Sequence, residues 1–242
     1  MGFFFLARQN TITAAMLLYY ITDRKSFAGT EAQQRKHVLV RIGEAAQAGV
    51  DCIQLREKDL AAHDLEDLAL DAVRMVRDHS TTTKVLVNAC IDIALASGAD
   101  GVHVPADGGD AADIRSRWMP ASDGKPIIAV SAHTVAELRA AAAQGADFAV
   151  FAPIFEKLHS DVRGIGLDAL RTACASTPPL PVLALGGVTL ANAGDCLAAG
   201  AAGVAGIRLY QSGNIAETVQ RLRDMEETMR PRMKADEYGS ET

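Results

Sequence analysis

Short apolar runs rich in β-branched and aromatic residues recur along the chain, and each is followed by a longer segment with helical periodicity. The longer segments are rich in Ala and Leu and carry Asp, Glu and Arg on one face, as "AAHDLEDLALDAVRMVRDH" does. This alternation predicts βα units and a parallel sheet. The predicted strands are residues 17–23, 52–57, 84–89, 101–105, 127–133, 148–155, 181–187 and 203–210.

A second signal repeats where a helix leads into a strand. Four segments place Gly after the helical pattern and just before a strand: "AQAGVDCIQL", "ALASGADGVHV", "AAAQGADFAVF" and "LAAGAAGVAGI". Gly readily adopts the left-handed conformation that ends a helix. Together with the eight strands, these turns predict a single-domain α/β fold, the (β/α)8 TIM barrel. An open doubly wound sheet is the alternative, but no GxGxxG follows the first strand.

Length and composition agree with one such domain. The chain has 242 residues, 49% of them hydrophobic, which suffices for one large core. We expect an N-terminal extension over residues 1–16, the barrel over 17–230 and a polar tail over 231–242. Met16 offers an alternative start, so whether residues 1–15 belong to the native protein stays open.

Charge and targeting signals narrow the function classes. The net charge is -6 and the pI about 5.5, with no basic block, which argues against nucleic acid as a partner. The apolar start is broken by Arg8 and is too short for a signal peptide or a span, so we expect a cytoplasmic protein without a membrane partner. The four cysteines have neither CxxC nor zinc spacing, and buried free thiols are expected.

Candidate chemistry begins at the end of the second strand, because (β/α)8 enzymes place their sites at the carboxyl ends of strands. Gln54, Arg56 and Lys58 alternate there, so they are expected to share one face and point into the barrel mouth. Buried cations are costly without an anion, and Arg offers a planar fork to phosphate or carboxylate. We predict an anion clamp; the alternative is a structural pairing of Arg56 with Glu57 or Asp23.

A phosphate site is predicted at the ends of the seventh and eighth strands. Gly186 and Gly187 end the run "LALGGVT", and "GIRLY" places Arg208 at the end of the eighth predicted strand. Many barrels bind phosphate with the loops after these two strands, where Gly lets backbone amides approach the oxygens. The alternative is a tight turn with a surface arginine.

The acid–base candidate is a histidine. Ser131 and His133 close the fifth predicted strand just before Thr134, a good helix N-cap. Histidine titrates near neutral pH, so His133 is the candidate for proton transfer, with a structural hydrogen bond to the barrel rim as the alternative. His103 is expected to pack inside the barrel, and His159 to be solvated on a loop.

The motifs in order resemble thiamin phosphate synthase and its TenI-type relatives over residues 17–209. They are "YYITDR", "CIQLREKD", "VNACIDIALASGADGVHVP", "IAVSAHTVAEL", "ADFAVFAPIF", "GIGLDAL" and "PVLALGGVTLANAGDCLAAGAAGVAGI". The synthase joins a pyrimidine pyrophosphate to a thiazole phosphate with magnesium. The resemblance implies that Gln54, Arg56, Lys58 and Asn88 hold pyrophosphate and that His133 matches the family's catalytic histidine.

Departures from the synthase pattern favour the TenI branch. The synthase has Asn-Asp after its third strand, where this chain has Asn88 and Ala89. Gly108 stands where a second magnesium-binding Asp is expected, with Asp107 beside it, although magnesium prefers oxygen ligands in near-octahedral geometry. "EKLHSDVRGIG" replaces a Thr/Lys run, and Arg208 replaces a Ser. Characterised TenI-type members are thiazole tautomerases, which aromatise a thiazole carboxylate phosphate by moving a proton.

The hypothesis favoured by these residues is therefore a thiazole phosphate tautomerase that needs no cofactor and has no metal site. Arg56 would hold the substrate carboxylate, and Gly186, Gly187 and Arg208 its phosphate. Lys58 has no role in this scheme and favours the alternative, a magnesium-dependent thiamin phosphate synthase. A third alternative is a non-catalytic, regulatory binder of thiazole or thiamin phosphates. The expected partner is a small phosphorylated thiazole, and homo-oligomerisation stays open.

Overall fold

The computed structural model describes residues 16–106, 109, 111–119, 121, 124–156 and 163–238, with side chains up to residue 229. Its strands form one closed barrel in the order β1 to β8, all parallel, with β8 paired to β1. The single-domain (β/α)8 prediction is confirmed. The strands are β1 Leu17–Ile21, β2 Cys52–Leu55, β3 Lys84–Asn88, β4 Gly101–Val104, β5 Ile127–Ala132, β6 Phe148–Phe151, β7 Val182–Ala184 and β8 Gly203–Gly206.

Helices follow the strands and cover the outside of the barrel. They are α1 Glu31–Ala48, α2 Ala62–His79, α3 Ile91–Ser97, α4 Ala111–Trp118, α5 Val135–Ala143, α6 Gly166–Ser176, α7 Ala193–Ala198, α8 Arg208–Gln211 and α9 Ile215–Tyr238. Because α9 runs to Tyr238, the backbone stays helical beyond residue 230, where the polar tail was expected to begin. No helix of the described ranges is long and apolar enough to cross a bilayer.

The predicted glycine turns have the backbone conformation that they require. Gly49, Gly98, Gly145 and Gly200 have φ values of 88°, 67°, 78° and 96°. At Gly49 the N–H donates to the carbonyls of Ala45 and Ala46, which satisfies the end of α1. These turns bring each helix back to the start of the next strand.

Alternation along the strands divides the core into two layers. Leu18 and Tyr20 of β1 face the helices, whereas Tyr19 and Ile21 face the barrel interior. The interior layer is small and mostly apolar. It contains Tyr19, Ile21, Cys52, Leu86, Ala129, Phe148, Val150, Leu183 and Ala205. The four cysteines are free, and Cys52 and Cys196 are buried as expected, while Cys90 and Cys174 are only half-buried.

The eighth strand is shorter than predicted, and this moves one candidate residue. β8 ends at Gly206, so Arg208 does not end a strand but begins α8. The N–H of Gln211 donates to the Ile207 carbonyl at 2.9 Å, which closes a helical turn. That turn buries Tyr210 fully, with its ring centroid 5.9 Å from that of Tyr20. The apolar alternation of "GIRLY" fits a strand locally, but packing of Tyr210 favours the helical turn.

The second strand also ends early. β2 stops at Leu55, and the Arg56 N–H donates to Thr22 Oγ1 at 3.0 Å instead of joining the sheet. Gln54 and Arg56 therefore flank the strand end, and Lys58 lies beyond it in an exposed turn. The prediction that all three belong to one strand face was wrong for Arg56 and Lys58, because both follow the end of β2.

Candidate active site

Polar side chains occupy inward-facing positions at the carboxyl ends of neighbouring strands, next to the apolar layer inside the barrel. Gln54 is buried at the end of β2, and its Nε2 donates to Asn88 Oδ1 at 2.8 Å. Asn88 ends β3 and pairs in register with His103 of β4. Because strands alternate inward and outward positions, these side chains belong to the same interior face. Two predicted binding residues, Gln54 and Asn88, are thus brought together.

A hydrogen-bonded chain crosses the barrel from β1 to β5. Tyr19 Oη lies 2.9 Å from His103 Nδ1, and His103 Nε2 lies 2.8 Å from Ser131 Oγ. Tyr19 and His103 are buried, whereas Ser131 is half-buried. Burial, and to a lesser degree the charge of Arg56, lowers the pKa of His103 to about 3. The expectation that His103 packs inside the barrel is confirmed, and the ring is neutral at neutral pH.

Arg56 is a half-buried cation whose guanidinium has no partner among the described residues. Among the residues that the structure describes, its guanidinium makes no ion pair or hydrogen bond, so the proposed pairing with Glu57 or Asp23 is absent. Its charge acts on the buried ring of His103, which fits a side chain on the interior side of the strand ends. A cation in such surroundings is stabilised by a bound anion.

Glu57 belongs instead to a second arginine, which the sequence analysis missed. Arg24 follows β1, is only 2% exposed, and donates to Glu57 Oε2 at 3.1 Å, Asp59 Oδ2 at 2.6 Å and Glu31 Oε1 at 2.6 Å. Thr22 Oγ1 also donates to Glu57 at 2.7 Å. A sequence signal existed: Glu57 follows a buried strand on its outward face, where a carboxylate needs a cation.

The pKa values of two carboxyl groups around Arg24 are shifted in opposite directions. Burial raises the pKa of Glu57, although hydrogen bonds from Thr22 and Arg24 oppose that shift. Hydrogen bonds from Arg24 and Lys25 hold the pKa of the Asp59 carboxyl well below its usual range. Three carboxylates therefore saturate this guanidinium, and the cluster joins the loops after β1 and β2 to α1.

His133 lies directly after β5 and is exposed. Its Nδ1 is 2.8 Å from the Ala152 carbonyl oxygen, which can only accept, so Nδ1 carries the proton. Its backbone N–H donates to Glu137 Oε2 at 2.6 Å, and Thr134 caps α5 as predicted by accepting from the Glu137 N–H. A ring that donates through Nδ1 presents Nε2 as its acceptor nitrogen when it carries one proton, and a general base requires such a nitrogen.

The loop after β7 has the backbone geometry of the predicted phosphate site. Gly186 and Gly187 have φ values of 97° and 65°, and in the described part of the chain neither amide N–H donates a hydrogen bond. A Cβ on Gly186 would lie 2.7 Å from Pro153 Cα, and one on Gly187 would lie 2.7 Å from Phe155 Cβ. Glycine is therefore required for the close approach of these two loops.

Arg208 occupies the first position of α8 and is exposed. It forms no ion pair within the ranges that the structure covers. Barrels of this kind often add a short helix after the eighth strand to the phosphate site. The structure therefore keeps Arg208 near the end of β8, on a helix rather than on the strand.

The magnesium ligands expected of a synthase are not supplied by the described strand ends. Ala89 has no ligating group, and Asn88 Oδ1 already accepts from Gln54. No group of three His, Cys, Asp or Glu residues suited to a metal occurs in the described ranges. Asp107 and Gly108 lie outside the described residues, as do Lys157, His159 and Ser160 of the loop after β6.

Comparisons with known proteins agree with the motifs. A family model described as "Thiamine monophosphate synthase" matches residues 18–209. A putative thiamine-phosphate synthase of Geobacter sulfurreducens is 42% identical over 190 residues, 78% of this chain and 83% of that protein. A thiamine-phosphate synthase of Methanoculleus marisnigri is 38% identical over 213 residues, 86% of this chain and 93% of that protein.

A solved structure with the same fold is also described as a thiamine phosphate enzyme. The thiamine phosphate pyrophosphorylase from Pyrococcus furiosus superposes with a TM-score of 0.71 at 26% identity, covering 88% of this chain and 96% of that one. Fold and relatives together define a (β/α)8 enzyme of thiamin biosynthesis. The chain belongs to the thiamine monophosphate synthase family, and the predicted resemblance is confirmed.

Proposed function

We propose that this enzyme aromatises a thiazole carboxylate phosphate by proton transfer, as a thiazole phosphate tautomerase. The observation that carries the proposal is the hydrogen bond from His133 Nδ1 to the Ala152 carbonyl. It fixes the neutral tautomer and leaves Nε2 free to accept a proton. It also stabilises the imidazolium that forms next, because the carbonyl oxygen still accepts from the charged ring.

The step moves one proton and no electrons to or from the enzyme. Nε2 of His133 takes a proton from a ring carbon of the substrate, and the electron pair of that C–H bond enters the ring to complete the aromatic system. The same nitrogen returns the proton to a second carbon. A positioned acid–base group of this kind contributes about 10²–10⁴-fold in rate.

The other predicted residues bind the two ends of the substrate in this scheme. Arg56 holds the carboxylate, since it is the half-buried cation at the mouth that no described protein group neutralises. The amides of Gly186 and Gly187 hold the phosphate, with Arg208 adding positive charge. Neutral hydrogen bonds to the substrate come from the inward-facing side chains of Gln54, Asn88 and Ser131.

Thiamin phosphate synthesis is the second candidate, and the names of the relatives favour it over the tautomerase. The sequence feature on its side is Lys58, which with Arg56 and Asn88 would hold a pyrophosphate. Against it stands Ala89, which puts a methyl group where the synthase pattern has a carboxylate. Without that ligand, a departing pyrophosphate lacks part of the counter-charge that metal ions supply.

One experiment separates the candidates. Purified protein is incubated with the thiazole tautomer alone, or with the pyrimidine pyrophosphate and the thiazole phosphate, each with magnesium or with EDTA. The tautomerase predicts aromatisation that EDTA leaves unchanged. Magnesium-dependent thiamin phosphate would overturn this assignment in favour of the synthase, and ligand binding without turnover would identify a non-catalytic binder.

The catalytic assignment has its own test in His133→Asn. The amide keeps the size and part of the hydrogen bonding of the ring but has no titrating nitrogen. We expect the aromatisation rate to fall by about 10²-fold or more, with substrate affinity nearly unchanged. His37→Asn, on the outer helix α1, is the matched control and should leave the rate unchanged. Near-normal turnover of His133→Asn would remove the histidine from the mechanism.

A further inference from the structure

We propose that Tyr19 and His103 act as positioning residues that hold Ser131 as a hydrogen-bond donor toward the substrate. The inference rests on the proposed function only in taking Ser131 to contact the substrate. Its physical basis is the chain Tyr19 Oη, His103 Nδ1, His103 Nε2 and Ser131 Oγ, with contacts of 2.9 Å and 2.8 Å.

The direction of the hydrogen bonds follows from the burial of Tyr19. Its hydroxyl is fully buried, and among the described residues His103 is its hydrogen-bond partner. If His103 Nδ1 carried the proton, the Tyr19 hydroxyl proton would be left in the core without an acceptor, which is costly. Tyr19 therefore donates to Nδ1.

The direction of the first hydrogen bond fixes the direction of the second one, on the other side of the His103 ring. Because His103 is neutral, a ring that accepts at Nδ1 must carry its proton on Nε2. Nε2–H donates to Ser131 Oγ, and no other described residue takes the Ser131 hydroxyl proton. Ser131 is half-buried at the strand end, where that proton can reach water or a ligand oxygen. The relay thus favours an anionic or carbonyl oxygen at this point of the mouth.

The aromatic floor holds the relay in place. The Tyr19 ring packs edge-on against Phe148, with centroids 5.2 Å apart. Its plane is nearly parallel to that of the His103 ring, at an angle of 14°. The neighbouring Tyr20 faces the helices instead, and its buried hydroxyl has no hydrogen-bond partner in the described structure. Tyr20→Phe is therefore a matched control for Tyr19→Phe, on the same strand and equally buried.

The first test measures the tautomer of His103 directly. Nitrogen-15 NMR of the ligand-free protein should show a neutral ring protonated on Nε2, and the Tyr20→Phe control should show the same. In Tyr19→Phe the preference should weaken to a mixture of tautomers. A wild-type ring protonated on Nδ1 would overturn the proposal, whatever the enzyme catalyses.

The second test measures affinity by calorimetry, with the aromatic thiazole carboxylate phosphate as the probe, which undergoes no turnover. Ser131→Ala should weaken binding about tenfold, and Tyr19→Phe by less. Adding Tyr19→Phe to Ser131→Ala should cause no further loss, because Tyr19 acts through Ser131. Fully additive losses, or unchanged binding by Ser131→Ala, would refute the relay. Failure of the aromatisation assay with these tautomer and affinity results intact would refute the proposed function alone.

Discussion

Two arginines near the same end of the barrel have opposite environments. Arg24, after β1, is buried and contacts three carboxylates, whereas Arg56, after β2, is half-buried and contacts none of the described ones. Both lie in loops that follow adjacent strands. A charged residue at a barrel mouth therefore indicates a binding site only when the protein leaves its charge uncompensated.

The loop after β2 explains why one arginine is paired with carboxylates and the other is not. Arg56 and Glu57 are adjacent, so they face opposite sides of the chain. Glu57 turns outward to Arg24 and Thr22, which removes it as a partner for Arg56. The neutralised cluster holds the loops together. Arg56, which pairs with none of the described carboxylates, is the cation that we propose binds the substrate.

The largest expected effect is on stability in Arg24→Met. The substitution keeps an aliphatic chain but leaves Glu57 buried without its cation. Breaking a buried ion pair in this way costs about 3–5 kcal/mol, which urea denaturation should show. Glu57→Gln added to Arg24→Met should recover part of the loss. A loss below about 1 kcal/mol would mean that the cluster is not a structural clamp.

The same substitution at Arg56 should give the opposite result. Arg56→Met breaks no side-chain contact with a described polar group, so the free energy of unfolding should change by less than about 0.5 kcal/mol. Affinity for the thiazole carboxylate phosphate should fall by about 1.5–3 kcal/mol, because a charged hydrogen bond is lost. Calorimetry and urea denaturation of the same variant check both values. Marked unfolding with intact affinity would reverse the roles of the two arginines.

Relief of backbone strain just after β3 should have a smaller effect on stability. Ala89 has φ of 57°, a left-handed conformation that a Cβ disfavours. Ala89→Gly should raise the free energy of unfolding by up to about 1 kcal/mol. Ala140→Gly, inside helix α5, is the control and should lower it by about 1 kcal/mol. Equal losses at both positions would show that Ala89 is unstrained.

The smallest effect concerns pH. The folded pKa of Asp59 is lowered by Arg24 and Lys25, so its stabilising contribution is present above about pH 4 and is lost as the pH falls toward the folded value. Glu57 has the opposite sign: its raised pKa means that stability is lost as the pH rises through the folded value.

The variant Asp59→Asn tests how much the ionised Asp59 carboxylate contributes to stability at acid pH. Between about pH 5 and pH 3, the variant should lose less stability on acidification than the parent protein, in urea denaturation at each pH. Asp67→Asn, an exposed aspartate on α2, serves as the control and should follow the parent curve. Identical acid sensitivity of the Asp59 variant and the parent would show that the Arg24 contact does not shift the titration.

The amino-acid pattern alone predicted the barrel and the features that depend on local backbone preferences. Periodicity and the four glycine turns predicted eight strands in order, and Thr134 was correctly predicted as a helix cap. Alternation correctly separated Arg56 from Glu57. These features depend on the backbone preferences of each residue and its near neighbours, which a single sequence displays.

Which polar side chains find a partner among the described residues depends on contacts between distant parts of the chain. Arg24 meets Glu57, 33 residues away, and His133 meets the carbonyl of Ala152, 19 residues away. Arg208 lies on a helix because Tyr210 packs in the core. Such contacts form between loops that barrel closure brings together, and many pairings would satisfy the same local pattern. The hydrogen bonds and charges that each group finds in the closed barrel select among them.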